Sequence, residues 1–363
     1  MKASPTEPRY ADWTVTTCGQ VSESSWDEWN RILDATPRLH SPFLRPGFVR
    51  CLAEARDDVR IARWHDETGA ACFLPFQQPR GRSAKALGLG IAEWQAIVCR
   101  SPEQVCWQGV ARQAGWRSFA FDHLYAWQLD STSARTELVY GDSPWVDLAG
   151  GWDHYLQCRR QLGSTLLKQT ERRLRKLERE RGLVEFQLDA PLEEAFDCLL
   201  RWKSAQHHRT GVPDAFRTHW VVQLLRIVAS HRSDGFRGRI SLLRAGGIPV
   251  AVHLGVESER TAHMWYPAYD RHYSHYSPGT ILFLKLIEAT AAAGLQRLDF
   301  GPGGQTYKDR LKTDDDRVVR GVLDTTWTSA IIRRPCSVAA RVARAVHRSL
   351  TRFLPTTAAL GRS

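Results

Sequence analysis

The stretch from residue 238 to residue 327 constrains this chain more than any other. "RISLLRAGGIPVAVHLGVESERTAHMWYPAYD" reads as three strands joined by tight turns at Ala-Gly-Gly and Glu-Ser-Glu-Arg. A Ser-Pro-Gly-Thr turn then opens an apolar helix from about 279 to 293. A strand at "LQRLDFG", a short helix around "QTYKDRL" and a last strand "RVVRGVLDTTW" follow. Three antiparallel strands, then helix, strand, helix and strand, predict an α+β fold: a mixed, mostly antiparallel sheet flanked by helices. A ligand is expected beside the helix start.

That helix start poses the first chemical question. First-turn amides are unpaired and the helix dipole is positive there, so an anion finds a ready site. The turn is Tyr276, Ser277, Pro278, Gly279 and Thr280. Pro suits a position whose N–H has no partner, and Gly lets an anion approach the backbone. A Ser N-cap followed by Pro is the plain structural reading of the same letters. Arg271, His272 and His275, just upstream, would add positive charge. In "VAVHLGV", alternation puts Val250, Val252, Leu254 and Val256 on one face, and Ala251, His253 and Gly255 on the other. His263 and Trp265 share a face of the next strand. Each imidazole is either a general base working near neutral pH or a satisfied structural histidine.

A length of 363 residues favours two domains, and the turn-rich "GDSPWVDLAGGW" at 141–152 is the boundary candidate. This divides the chain into 1–150, 151–330 and a tail, 331–363. The first part suggests helices near 26–34 and 45–55 and strands "VRIARWH" and "ACFLPFQ" around a Glu-Thr-Gly turn. A helix from 102 to 114 and a strand "WRSFAF" follow. The second part begins with a basic helix over 164–181, its Leu167, Leu174 and Leu177 opposite Arg172, Arg175, Lys176 and Arg179. Helices over 191–206 and 217–230 come next.

Composition bounds the function. With 43% hydrophobic and 25% charged residues the chain is expected to fold. No long apolar run is present, so neither a transmembrane helix nor a signal peptide is expected. Eight scattered cysteines without a CxxC pair point to reduced thiols, a cytoplasmic location and no metal site. The net charge of +11 is concentrated in the tail, where 331–363 holds seven Arg and no acid. There Val338, Val342, Val346, Leu350 and Phe353 face one way, and Arg341, Arg344, Arg348 and Arg352 the other. This is the layout of an interfacial helix on anionic lipid over residues 336–354, placing the protein at the inner face of the plasma membrane. The alternative is a helix docked on the fold. No helix-turn-helix or zinc pattern supports a transcription factor.

The element order, with "WKSAQHHRTGVPDAF" and "HMWYPAYDRHYSHYSPGTILFLKLIEATAAAGLQRLDFGPGGQTYKDRL", resembles the GNAT acyltransferases. Within them it is most similar to the FemAB-like, CelD/BcsL-type proteins found with bacterial cellulose and exopolysaccharide biosynthesis. The resemblance is strong over about 150–325 and weaker over 26–130, where "FLRPGFV" and "FLPFQ" fit. It implies two GNAT-like domains and acyl transfer from acetyl-CoA or another acyl-CoA to a sugar or glycan acceptor. The helix-start turn, with Trp265 and Tyr266, would bind the cofactor. The thioester would lie along the "HMWYP" strand, where Pro267 would end pairing and splay the strands. Tyr307 would protonate the leaving thiolate, Lys308 would stabilise the oxyanion, and Asp299 would orient one of them. His207, Arg209 and Asp214 belong to the acceptor side under this reading, or else stabilise their loop. The turn is poorer in Gly and Arg than the usual GNAT loop. Related Fem proteins use aminoacyl-tRNA instead, and a non-catalytic scaffold at a polysaccharide synthase is a third alternative.

Overall fold

The computed structural model describes residues 10–79, 81–102, 105–129, 138–233, 235–303 and 306–325. The first half contains β1 (Ala11–Thr16), α1 (Glu23–Ala35), α2 (Pro46–Ala55), β2 (Val59–His65), β3 (Ala71–Gln77) and β4 (Ser83–Ala86). It continues with α3 (Trp107–Gln113), β5 (Ser118–Tyr125) and β6 (Val139–Asp147). The second half opens with α4 (Gly151–Gln161), α5 (Leu166–Arg181), β7 (Val184–Gln187), α6 (Leu192–Thr210) and α7 (His219–Ser230). Then come β8 (Arg232–Ser233), β9 (Phe236–Ala245), β10 (Ile248–Glu257) and β11 (Thr261–Tyr269). The last elements are α8 (Pro278–Ala292), β12 (Arg297–Asp299), α9 (Thr306–Leu311) and β13 (Asp314–Asp324).

Local chemistry explains the clearest of these. Ser22 caps α1 by accepting from the Ser25 amide, and Trp26, Trp29, Ile32 and Leu33 form its buried face. The β2–β3 hairpin runs in register from Val59↔Gln77 to His65↔Ala71. Its turn is closed by Gly69 at φ +78°, a conformation that favours glycine. Helix α6 runs four residues past its expected end and stops at Gly211 in the left-handed region. Helix α3 starts late, at Trp107, because Cys106 caps it by accepting from the Gly109 amide.

All the strands join one sheet, in the order β1-β2-β3-β4-β5-β13-β6-β12-β11-β10-β9-β7, with β8 added beside β9. Strand β13, from the end of the described chain, pairs with β5 of the first half on one side and with β6 on the other. Strand β6 in turn pairs with β12. Residues 141–147, turn-rich by composition, are therefore an interior strand. Its Pro144 is tolerated because the β12 ladder begins only at Trp145↔Asp299: the Pro144 carbonyl still accepts from the Phe300 amide, and its missing N–H falls beyond the ladder. Val252, Leu254 and Val256 share a core as the alternation predicts. Val250 instead joins Ala251 in the opposite core, because a register shift between Pro249 and Ala251 interrupts the pleat.

One core combines α1 and α2 with α6, α7 and the inner strands of the second half. A second lies under α4, α5 and α8, and a third joins the first half to Val319 and Leu323 of β13. Phe48 of α2 is fully buried, with ring centroids 4.9 Å from Phe43, 6.2 Å from Phe236 and 6.0 Å from Trp265. It thus ties the first half to β9 and β11. Among the described residues no helix is long and apolar enough to cross a membrane. The amphipathic segment 336–354 lies outside the described residues. Phe48→Ala is expected to destabilise the protein by about 3–5 kcal/mol while unfolding remains one transition, measured by urea titration followed with fluorescence and circular dichroism.

Candidate active site

Helix α8 is entered in an unusual way. Ser277 sits at φ 55° and ψ 53°, left-handed for a residue with a Cβ, at an expense of about 1 kcal/mol. Its side chain makes no capping hydrogen bond, so the turn is not the ordinary Ser N-cap. The Thr280 and Ile281 amides both donate to the Ser277 carbonyl. The Gly279 amide has no partner among the described residues, and Pro278 has no N–H to satisfy. What remains is a helix start with a free donor and a positive dipole end.

This start opens into a cleft of about 680 Å³. The cleft exists because β12 pairs with β11 only over Thr261–His263, after which the two parallel strands part. Trp265, Pro267 and Tyr269 of β11 form one wall, and Ser277, Gly279 and Thr280 line the α8 end. The expected break at Pro267 is not where the strands separate. Pairing with β10 continues through His253↔Pro267 to Ala251↔Tyr269, and the irregularity falls at Trp265, between Leu254↔Tyr266 and Gly255↔Met264. Tyr307 and Lys308 of α9 line the floor. Arg173 of α5, Arg201 and Arg209 of α6, Arg271 and Arg310 make the walls strongly cationic.

The floor is held by buried charge. The Lys308 ammonium donates to the carbonyls of Gly301 (2.9 Å) and Pro302 (3.3 Å). Burial lowers its pKa to about 8, against the pull of Glu93, Asp299 and Asp309. Burial likewise lowers Lys203 of α6 to about 8, opposed by Glu93 and assisted by Lys308. Tyr307 stacks on Phe283 with centroids 4.5 Å apart. Burial, with the Glu93 charge, keeps its phenol protonated well above the ordinary range.

Glu93 comes from the first half, on a loop pinned where Trp265 Nε1 donates to the Ile91 carbonyl at 2.8 Å. Its Oε2 lies 2.6 Å from His263 Nε2. His263 Nδ1 is 3.9 Å from Asp299 Oδ2, and His40 Nδ1 is 3.5 Å from the same oxygen. Burial works against the His263 cation, but Asp299 and Glu93 outweigh it and raise its pKa. Asp299 would be pushed up by burial, yet Arg297, His263 and His40 hold it below the carboxylate range. Gly301, at φ +71°, permits this convergence: a Cβ there would fall 1.9 Å from Glu93 Oε2 and 3.2 Å from His263 Nε2.

The cleft thus brings together Trp265, Ser277, Gly279, Thr280, Tyr307, Lys308 and Arg209 from the sequence-derived set. Others lie elsewhere. His253 is buried on β10, opposite Pro267, with neither ring nitrogen partnered. Burial, then His263 and Arg239, lower it to about 3, so it is a neutral core histidine outside the cleft lining. His263 is fully buried against Phe43 and Glu93 and is not part of the lining. Tyr276 is buried in the second core and donates to Glu180 at 2.8 Å. Tyr266 packs on Phe216 and Trp265. Asp299 is sealed beneath the floor. His207 Nδ1 is 3.3 Å from Asp214 Oδ1. Asp214 itself accepts from the Phe216 amide, so this pair braces the turn between α6 and α7. Glu93, Lys203 and His40 escaped sequence reasoning. Glu93 carried a local hint in "GIAEWQAIV", an apolar run with one carboxylate in it.

Residues 164–309 match the family model described as an acetyltransferase (GNAT) domain. The C-terminal domain of a protein named as a lysylphosphatidylglycerol synthetase, from Agrobacterium fabrum, aligns with a TM-score of 0.54 at 16% identity. The alignment covers 90% of this chain and 99% of that one. FemX aligns with a TM-score of 0.57 at 8% identity, covering 88% of this chain and 99% of that one. The fold is a GNAT acyltransferase fold. No curated protein matches the sequence.

The two buried lysines of this cleft set a pH dependence. Below about pH 8 both are protonated in folded and unfolded chains alike, and burial opposes folding in full. Between about pH 8 and 10.5 the unfolded chain holds more protons, so stability rises with pH, by up to roughly 3 kcal/mol per lysine. Urea titrations of wild type against the Lys203→Met/Lys308→Met variant should show that rise in the wild type only.

Proposed function

We propose that this protein is an acyl-CoA-dependent N- or O-acyltransferase acting on a sugar or glycan precursor in bacterial polysaccharide biosynthesis. The observation that carries the reading is the start of α8, with its unpartnered Gly279 amide, opening into a cationic cleft beside splayed strands. The coenzyme A pyrophosphate would take that amide and Arg271, with the thioester lying along β11 toward the floor. The acceptor's lone pair attacks the thioester carbon, the C–S bond breaks, and Tyr307 gives its proton to the departing sulfur. Lys308 supplies positive charge beside the developing oxyanion. A glycan acceptor fits the α6 side, where Trp202 offers an apolar plane beside Gln206 and Arg209. The resemblance to proteins of cellulose and exopolysaccharide biosynthesis supports that acceptor class. The proposed location is cytoplasmic, at the inner face of the plasma membrane through residues 336–354.

A second reading, transfer from an aminoacyl-tRNA, is favoured by one feature. Arg173 lines the cleft and belongs to α5, whose outer face exposes Arg172, Arg175, Lys176 and Arg179. Binding to tRNA that falls steeply with salt, without thioester binding, would establish it.

Calorimetry with acetyl-CoA tests the first reading, with Gly279→Ala as the control. A Cβ at 279 meets only the Tyr269 ring, at 3.5 Å, so the variant folds while its methyl group crowds the free amide. Affinity is expected to fall about tenfold, in keeping with the loss of one charge-assisted hydrogen bond. Tyr307→Phe should bind normally and lower kcat by about 100-fold.

A further inference from the structure

We infer that Glu93, delivered from the first half of the chain, is the general base of the second half's site, and that His263 and Asp299 are its positioning residues. The inference rests on the acyl-transfer reading above and adds the group that reading lacks. The two sequence-derived histidines do not fill the role. His253 is a core residue away from the cleft, and His263 Nε2 is engaged with Glu93 at 2.6 Å.

Glu93 has the geometry of a base. Its side chain lines the cleft and keeps 17% exposure there, whereas the side chains of His263 and Asp299 are at 0%. Oε2 is fixed by His263, and Oε1 has no hydrogen-bond partner among the described residues. The carboxylate shares the cleft lining with Lys203, Tyr307 and Lys308. It thus faces the same space as the proposed proton donor to the thiolate and the oxyanion partner. Behind it, Asp299 is anchored by Arg297 at 3.1 Å and faces the His263 ring. This arrangement fixes which ring nitrogen meets Glu93 and holds the imidazole plane.

The loop bearing Glu93 is built to stay in place. Besides the Trp265–Ile91 bond, His123 Nδ1 lies 3.1 Å from the Ala92 carbonyl, and Trp94 stacks on Tyr125 at 4.1 Å. In the step, Glu93 Oε1 takes the proton from the acceptor O–H or N–H as the acceptor's lone pair forms the new bond to the thioester carbon. The C–S bond then breaks, and the sulfur takes the Tyr307 proton. The protonated carboxyl and the phenolate are restored by exchange with solvent after release.

The test uses the full chain with acetyl-CoA, and with glucosamine or water as acceptor, following thiol release. Glu93→Gln keeps the side-chain size and is expected to bind acetyl-CoA as the wild type does while kcat falls about 100-fold. Glu93→Ala should lose as much and regain about tenfold with added formate, which supplies a carboxylate in its place. His263→Gln should lower kcat by about tenfold with KM unchanged. The Glu93→Gln/His263→Gln pair should be no slower than Glu93→Gln alone, since the histidine acts through the carboxylate. A Glu93→Gln rate within about threefold of wild type overturns the inference. So does an effect confined to KM, an additive double variant, or a wild type that binds acetyl-CoA but releases no thiol. If the wild type does not bind acetyl-CoA at all, the acyl-transfer reading fails first, and Glu93 falls with it.

Discussion

Everything in this molecule depends on β13 pairing with β5 on one edge and β6 on the other. Two α/β halves joined by a linker would each close their own sheet and remain free to shift. Here the last strand of the second half is hydrogen-bonded to the first half, and β6 is inserted between β12 and β13. The mixed sheet becomes continuous, and Phe43, Phe48 and Trp265 pack across the junction. Because the halves are fixed against each other, a loop of one can reach into the cleft of the other with the precision of a single hydrogen bond.

That fixed geometry is what makes the buried charges tolerable. Glu93, His263, Asp299, His40, Asp316 and Arg297 sit within one connected network. An ionised group alone in such a place would neutralise or unfold the site; each here has an opposite partner. The free energy spent on desolvating Lys203 and Lys308 gives the cleft a floor of weakly held protons near neutral pH. A reaction that moves protons between acceptor, base and leaving group can use such a floor. The strained entry of α8 at Ser277 belongs with the same set: local discomfort retained at the site while the surrounding strands are regular.

Much was legible in the letters. Glycine-punctuated alternation gave β9, β10 and β11, and Pro278 with the apolar run behind it gave α8 almost to the residue. Tyr307 and Lys308 were named through the family resemblance, and both line the cleft. Strand β6 was misread because its Pro and Gly describe a turn unless one knows that its neighbour pairs only part of its length. The break in pairing was assigned to Pro267, the visible irregularity. Strands β11 and β12 part instead after His263, and the irregularity against β10 falls at Trp265, a residue of high strand propensity. Helix α4 has weak periodicity, and its buried Tyr155 and Arg159 are satisfied by carbonyls at 310–312 that only the fold brings near.

The order of elements, the apolar faces and the anion-ready helix start were readable in the letters alone. All of these depend on residues within a few positions of one another. The tertiary structure decided which residues share the cleft. Glu93 and His263 are 170 positions apart and meet at 2.6 Å. His253 and His263 are ten apart, yet they do not pair. Register and strand exchange set those distances, and both are chosen by the summed packing of the whole sheet, which no local pattern records.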